Sequence, residues 1–482
     1  MNDVKKAVMT NWRWVMCAML FFATTVNYMD RQVLSLTFKE FIQPEFHWTD
    51  SDYGTITGVF SIAYAIFCLF AGKFIDWMGT KKGYLIAIIV WSLGAVMHAG
   101  CGWVTEQIVG VADKAALLEA TGAIVSTISM VSVWLFLVCR LILGLGEAGN
   151  FPAAIKVTAE YFPKKDRAFA TALFNAGASV GALAAPATIP LLAKSLGWEW
   201  AFIIIGALGF IWAGIWIFVY DKPTESKHVN EAELEYIHQD EEAVSHQPSA
   251  VSEEKQMSFA EAFKHPQTWS FAFGKFMTDG VWWFFLFWAP AYFQDQFGIK
   301  ASDPQGIALI FTLYAIVTVI SLFGGYLPKI FVEKKGMEPY AGRMRAMLIF
   351  AFFPIFALFA QPLGGVWGPW AVAIIIGIVG AAHQSWSANI FSTTGDMFPK
   401  SAVATITGIG AMAGGVGSFL INKGSGMLFD HAAEMGEAFS FFGFTGKPAG
   451  YMIIFCICAV AYLIGWSVMK ALVPKYSPVV VK

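Results

Sequence analysis

A few charged residues sit where charge is expensive. Asp30 with Arg31, Arg140 with Glu147, and Lys275 with Asp279 all fall inside runs of otherwise apolar residues. A charge near the bilayer centre costs at least ~2.5–3.5 kcal/mol on insertion scales, so such groups face a polar cavity and find partners. Arg140 and Glu147 are two helical turns apart, which puts them on one face about 10 Å from each other. Lys275 and Asp279, at i,i+4, can meet directly. Asp30 and Arg31 lie ~100° apart around a helix, so one can face a cavity while the other braces a neighbouring helix. Mutual pairing to hold helices together is the plain alternative for Lys275 and Asp279. It explains two arginines in separate helices poorly, and the guanidinium fork matches a carboxylate. The chemistry expected is capture of a small organic anion at mid-membrane.

Polar and aromatic neighbours fit a hydroxylated ligand. Tyr28, Tyr64, Asn175, His383, Gln384, Ser385, Ser387 and Asn389 lie in the same runs and can hydrogen-bond hydroxyls. Trp282, Trp283 and Trp386 offer flat faces to a ring, the plain alternative for each being packing or interface anchoring. His383 reads equally as a satisfied structural histidine. Glycines such as Gly144, Gly146, Gly149, Gly177, Gly181, Gly414 and Gly417 allow close helix approach. An enzyme would need a different constellation, and neither a His pair at i,i+4 nor G-x-S-x-G occurs. The cysteines have no metal-type spacing, so no metal, cofactor or disulfide framework is expected.

The elements that must carry these residues follow from composition. Of 482 residues 57% are hydrophobic and only 14% charged, against about 25% charged in soluble domains. A soluble fold of this size could not cover its surface with so little charge. The net charge of −2 gives no reason to expect a nucleic-acid partner. A bilayer-crossing helix needs ~20 apolar residues, and such runs lie near 13–36, 52–74, 83–103, 126–156, 168–192 and 200–220. A second set lies near 267–293, 305–328, 344–362, 369–395, 402–422 and 449–470. The first run follows Lys5 and Lys6 but is too long for a signal peptide and lacks a cleavage site, so it reads as a retained span.

The fold class expected is an all-α membrane protein with 12 transmembrane helices in two six-helix bundles: residues 1–220, a solvated cytoplasmic linker 221–266 carrying a short helix around Ser258–Phe263, and residues 267–482. Most loop Lys and Arg fall on the side of the termini, which places both termini in the cytoplasm. Two stretches, 105–123 and 423–448, read as long polar loops on the other side.

Two motifs carry a family resemblance. Gly72-Lys73-Phe74-Ile75-Asp76-Trp77-Met78-Gly79-Thr80-Lys81-Lys82 resembles the G-x-x-x-D-x-x-G-x-[RK]-[RK] gating loop of the major facilitator superfamily, a charge-paired latch between helices. Its counterpart, Gly324-Gly325-Tyr326-Leu327-Pro328, has Pro where the Asp would stand. Within that superfamily, Asn27-Tyr28-Met29-Asp30-Arg31 and the run Arg140 to Pro152 look like the anion:cation symporter family. Lys275 to Asp279 and Ala382-His383-Gln384 look most like the bacterial hexuronate (galacturonate/glucuronate) transporters. The resemblance implies alternating access and proton-driven uptake of an organic anion across the inner membrane. Arg31 and Arg140 match positions that bind the substrate carboxylate or gate the site, and Asp30 and Glu147 match the protonatable pair. Tyr28, Tyr64, Lys275, His383, Gln384, Trp386 and Asn389 complete the expected substrate site, with Asp279 as a third proton group. The expected partners are the anion, protons (sodium being the alternative ion) and the bilayer, for a monomer. Other organic anions, an aldonate, aldarate, aromatic acid or organic phosphate, are the alternative substrates.

Overall fold

The structure, a computed structural model, describes residues 8–244, 257–324 and 326–479. Lys5, Lys6, Lys482, the acidic linker run Ser252–Lys255 and Gly325 of the counterpart loop therefore lie outside the described residues. Among the described residues twelve long helical rods run in sequence, labelled α1 to α12. The first six are α1 (Trp12–Thr37), α2 (Asp50–Met78), α3 (Thr80–Val109), α4 (Ala123–Tyr161), α5 (Lys164–Leu196) and α6 (Trp198–Val219). The second six are α7 (Pro266–Phe297), α8 (Pro304–Gly324), α9 (Pro339–Trp367), α10 (Pro369–Met397), α11 (Lys400–Met435) and α12 (Lys447–Leu472).

Ten of these rods are long and apolar enough to cross a membrane. The other two, α1 and α7, match their neighbours in length but carry Arg13, Asp30 and Arg31, and Lys275, Asp279 and Asp295. Both are buried along most of their length. Their polar residues thus face protein rather than lipid, as a spanning helix with charged groups requires. Within the first half α1 packs on α5 and α3 on α4; within the second, α7 packs on α11 and α12, and α8 on α10. The halves meet along α2 with α11, α5 with α8 and α1 with α7.

Local chemistry explains the breaks. The helical hydrogen bonding of α4 is interrupted between Glu147 and Asn150, because Pro152 has no N–H to give the carbonyl one turn back. α2 starts at a capping box, in which Thr49 Oγ1 accepts from the Asp52 amide at 3.1 Å and the Asp52 carboxylate accepts from the Thr49 amide at 2.9 Å.

Three expectations need correction. The stretch 105–123 is not a plain polar loop: α3 continues to Val109, and a short helix, Lys114–Leu118, follows. That helix is stapled to the same half, Lys114 pairing with Glu45 at 2.9 Å and Glu199 at 2.6 Å. Nor is 423–448 mainly loop, since α11 runs on to Met435 and a two-residue-per-strand hairpin, Ser440–Phe441 with Phe444–Thr445, closes the connection. Lys423 is a helical residue whose ammonium donates to Ser51 and Thr55 hydroxyls at 2.8 and 2.7 Å. Lastly, the linker is not simply solvated. Glu231–Val244 is helical, and Glu233 caps the start of α1, accepting from the Trp12 and Arg13 amides at 2.9 and 3.1 Å and from the Arg13 guanidinium at 3.0 Å. The expected short helix appears as Phe259–Ala262, with Ser258 accepting from the Glu261 amide at 3.2 Å. All of the cysteines are free.

Candidate functional site

The charges of the first half converge on one buried cluster. Asp30 and Arg31, neighbours on α1, diverge as their spacing requires. Asp30 turns to α3, where its Oδ2 accepts from the Trp91 indole N–H at 2.9 Å. Arg31 turns to α4 and sets Nε and Nη2 against Glu147 Oε2 at 3.1 and 2.7 Å. Glu147, on one face of its helix with Arg140 two turns away, takes as its ion-pair partner Arg31 of a neighbouring helix.

Close helix contact makes this geometry reachable. A Cβ on Gly146 would lie 2.3 Å from the Trp91 backbone nitrogen and 2.5 Å from the Ala87 carbonyl oxygen. A Cβ on Gly94 of α3 would lie 2.4 Å from the Leu143 nitrogen. The α3–α4 crossing therefore depends on glycine on both helices, and it brings Trp91 and Glu147 to the same level as α1.

Rings surround the Arg31 guanidinium. Its carbon lies 4.7 Å from the Tyr64 ring centre, 5.4 Å from Tyr28 and 5.1 Å from Trp283. Tyr28 and Tyr64 belong to the first half and Trp283 to α7 of the second. Such faces attract a desolvated cation. Arg140 stands apart from this pairing. It is 2% exposed, its carbon lies 5.4 Å from the Phe60 ring centre, and none of its guanidinium nitrogens has a hydrogen-bond partner among the described residues. One oxygen each of Asp30 and Glu147 is likewise unpartnered.

The second half has its own cluster. Lys275 and Asp279 pair at 2.7 Å across one turn of α7, with the ammonium 4.3 Å from the Phe391 ring centre. A Cβ on Gly414 of α11 would lie 2.2 Å from Asp279 Oδ2, so only glycine leaves room for the carboxylate there. His383 Nδ1 lies 2.7 Å from the Tyr462 hydroxyl, and its ring stacks on Trp282 at 5.4 Å and 2°. Trp386 is buried edge-on to Tyr462, its indole N–H without a partner among the described residues. Asn389 spends its amide on the Ser385 carbonyl of its own helix at 2.8 Å, and Gln384 is half-buried. Trp282 and Trp283 are consecutive on α7, so one turn of helix presents an indole to each cluster.

The Gly72–Lys82 stretch ties α2 to α4 and the start of α3 to the chain just after α6. Asp76 pairs with Lys156 of α4 at 2.7 Å and Lys81 with Asp221 at 2.8 Å. Gly79 supplies the turn with φ at +77°, a conformation that favours glycine. Gly72 meets nothing within 4 Å, and Lys82 is exposed. Where the second half has Pro328 in place of the Asp, Arg343 and Asp396 pair at 2.7 Å between α9 and α10.

Trp91, Phe60 and Tyr462 were not singled out from the sequence. Each is one aromatic in an apolar run, and only its partner across the bundle marks it.

Residues 20–421 match the Major Facilitator Superfamily. The chain is 28% identical to the hexuronate transporter of Escherichia coli K12 over 464 residues, covering 95% of this chain and 94% of that one. It is 28% identical to the D-galactonate transporter of Escherichia coli O6:H1 over 325 residues, 67% of this chain and 68% of that one. Among solved structures it is similar to a bacterial homolog of the human lysosomal transporter Spinster, in an inward-facing and unoccupied conformation, with a TM-score of 0.67, 18% identity and coverage of 97% and 99%. The resemblance drawn from the motifs and the fold expected from the spans are both found: the chain belongs to the Major Facilitator Superfamily, a multi-pass membrane transporter and not an enzyme.

Proposed function

We propose that this protein is a secondary active transporter that carries a sugar-acid anion into the cytoplasm together with protons. The substrate class that fits best is a hexuronate such as galacturonate or glucuronate. The observation that carries this reading is Arg140, a buried guanidinium with no acceptor among the described residues. A buried charge is stable when it is paired, and a carboxylate meets the guanidinium fork in two parallel hydrogen bonds. The hydroxyls of Tyr28 and Tyr64, the indoles of Trp283 and Trp386 and the imidazole of His383 suit the rest of a sugar acid. Similarity to the hexuronate transporter over nearly the whole chain supports the same substrate class.

In this reading residues 1–220 and 267–482 rock about the midplane site, the linker 221–266 joining them on the cytoplasmic side. Both termini are cytoplasmic, and the membrane is the inner one. A proton on Glu147 removes the charge that holds Arg31, and that release links proton movement to anion binding. Asp30 and Asp279 are the further proton groups.

The similarity to a D-galactonate transporter favours an aldonate as the second reading. Thermal stabilisation of the purified protein against a panel of hexuronates, aldonates and aldarates tests both. Galacturonate or glucuronate is expected to raise the unfolding temperature most, and to be accumulated in proteoliposomes under an inward proton gradient. Stabilisation by galactonate alone moves the substrate to the aldonates, and stabilisation by no sugar acid overturns the proposal.

A further inference from the structure

The ion pairs that join the two halves, among the described residues, all lie on the face opposite the termini. Four charged residues there form a closed ring. Lys39 follows α1 in a π-helical turn, Asp50 opens α2, Asp295 lies near the end of α7 and Lys447 opens α12. Lys39 reaches Asp50 at 2.9 Å and Asp295 at 3.1 Å. Lys447 reaches Asp295 at 2.7 Å and also pairs with Asp50. Lys39, Asp50 and Asp295 are largely shielded from solvent, and Tyr451 donates a further bond to Asp295 at 2.8 Å.

The connectivity matters more than the number of bonds. Lys39–Asp50 lies within the first half and Lys447–Asp295 within the second; Lys39–Asp295 and Lys447–Asp50 run between halves. When the halves part, both crossing pairs break, yet each half keeps one cation and one anion already in contact. A charge stranded without its partner is what makes breaking a shielded ion pair costly, and this ring divides without stranding one.

We infer that Lys39, Asp50, Asp295 and Lys447 are the gate of the face opposite the termini, built as a ring that splits into two self-neutralised pairs. The inference rests on the alternating-access reading above. It is read without substrate, so a wrong sugar acid would leave it standing.

The gate also has a natural reporter. Asp430, on α11, accepts from the backbone amides of Asp50 and Ser51 at 2.8 and 2.7 Å, capping α2 from the other half. Those amides are protected only while the gate is shut, so their hydrogen exchange reads gate opening in the intact, unlabelled protein.

Two kinds of double variant separate the split ring from a general loss of charge, because each removes one cation and one anion. Asp295→Asn with Lys447→Met deletes one half's pair and with it both crossing contacts. Exchange at Asp50 and Ser51 is expected to quicken by roughly tenfold, the effect of about 1.4 kcal/mol. Lys39→Met with Asp295→Asn instead leaves the crossing pair Asp50–Lys447, whose separation would strand both charges. Exchange there is expected to stay near that of the parent protein. The mirror-image doubles, Lys39→Met with Asp50→Asn and Asp50→Asn with Lys447→Met, repeat the comparison should either first variant fail to fold. Equal exchange in the two kinds of double, whether raised or unchanged, overturns the inference.

Discussion

Arg31 places two guanidinium nitrogens on a single oxygen of Glu147, at 3.1 and 2.7 Å, and the other Glu147 oxygen has no hydrogen-bond partner among the described residues. The carboxylate is thus half engaged, held by a cation yet still able to accept a proton. Glu147→Gln keeps the shape and an acceptor for Arg31 but removes the charge and the titration. In proteoliposomes this variant is expected to exchange substrate across the membrane while losing accumulation driven by a proton gradient. Accumulation at the parent rate would remove Glu147 from proton coupling and turn attention to Asp30.

Arg140 tests the anion site. Hydrogen bonds to a charged group contribute about 1.5–3 kcal/mol each, equivalent to roughly 10–150-fold in affinity. Arg140→Ala is expected to weaken sugar-acid binding by at least that range, and Arg140→Lys by less, because it keeps the charge and loses the fork. Calorimetric titration of the purified variants measures both. Unchanged affinity in Arg140→Ala would place the substrate carboxylate elsewhere.

Two of the close-approach glycines should behave differently. At Gly146 the atoms in the way are backbone, the Trp91 nitrogen and the Ala87 oxygen, which cannot rotate aside. Gly146→Ala is expected to destabilise by at least the ~1–3 kcal/mol typical of overpacking, seen as a lower unfolding temperature. At Gly414 the obstacle is the Asp279 carboxylate, which can move away from Lys275. Gly414→Ala is therefore expected to keep near-parent stability and lose transport. Equal destabilisation in the two variants would contradict this division.

What was legible in the sequence was whatever had a local signature. Charges in apolar runs, the span lengths and the Asp76–Gly79 turn are all readable from neighbours along the chain. The outer end of α11 was not. Lys423 and Ser425 look like a loop to hydropathy, yet they are helical, Ser425 is buried and Lys423 donates to Thr55 of α2 at 2.7 Å. Polar residues that face the other half are compositionally the same as polar residues that face water. The site shows the same limit. The spacing of Arg140 and Glu147 placed them on one face, but the choice of Arg31 as the partner of Glu147 is made by a crossing of separate helices.

The linker gives a pH-dependent prediction. Burial alone would push the Glu233 carboxyl up, but the Thr10 hydroxyl, the Arg13 and Trp12 amides and the Arg13 guanidinium outweigh it and hold it below its ordinary value. A carboxyl held low in the docked state contributes stability that is complete above its free value, about 4.3, and is lost as pH falls through the docked one. Trp12 stacked on His228 at 4.2 Å and Tyr236 bonded to Asp166 at 2.7 Å add contacts to the same docking. Limited proteolysis of the linker is therefore expected to be slow at pH 7 and to quicken below pH about 4. Glu233→Gln should be cut faster at pH 7 and lose most of the acid response, because the amide can accept hydrogen bonds but cannot titrate or pair with Arg13. Protection of the parent linker that persists unchanged in acid would mean that Glu233 does not hold the helix to α1.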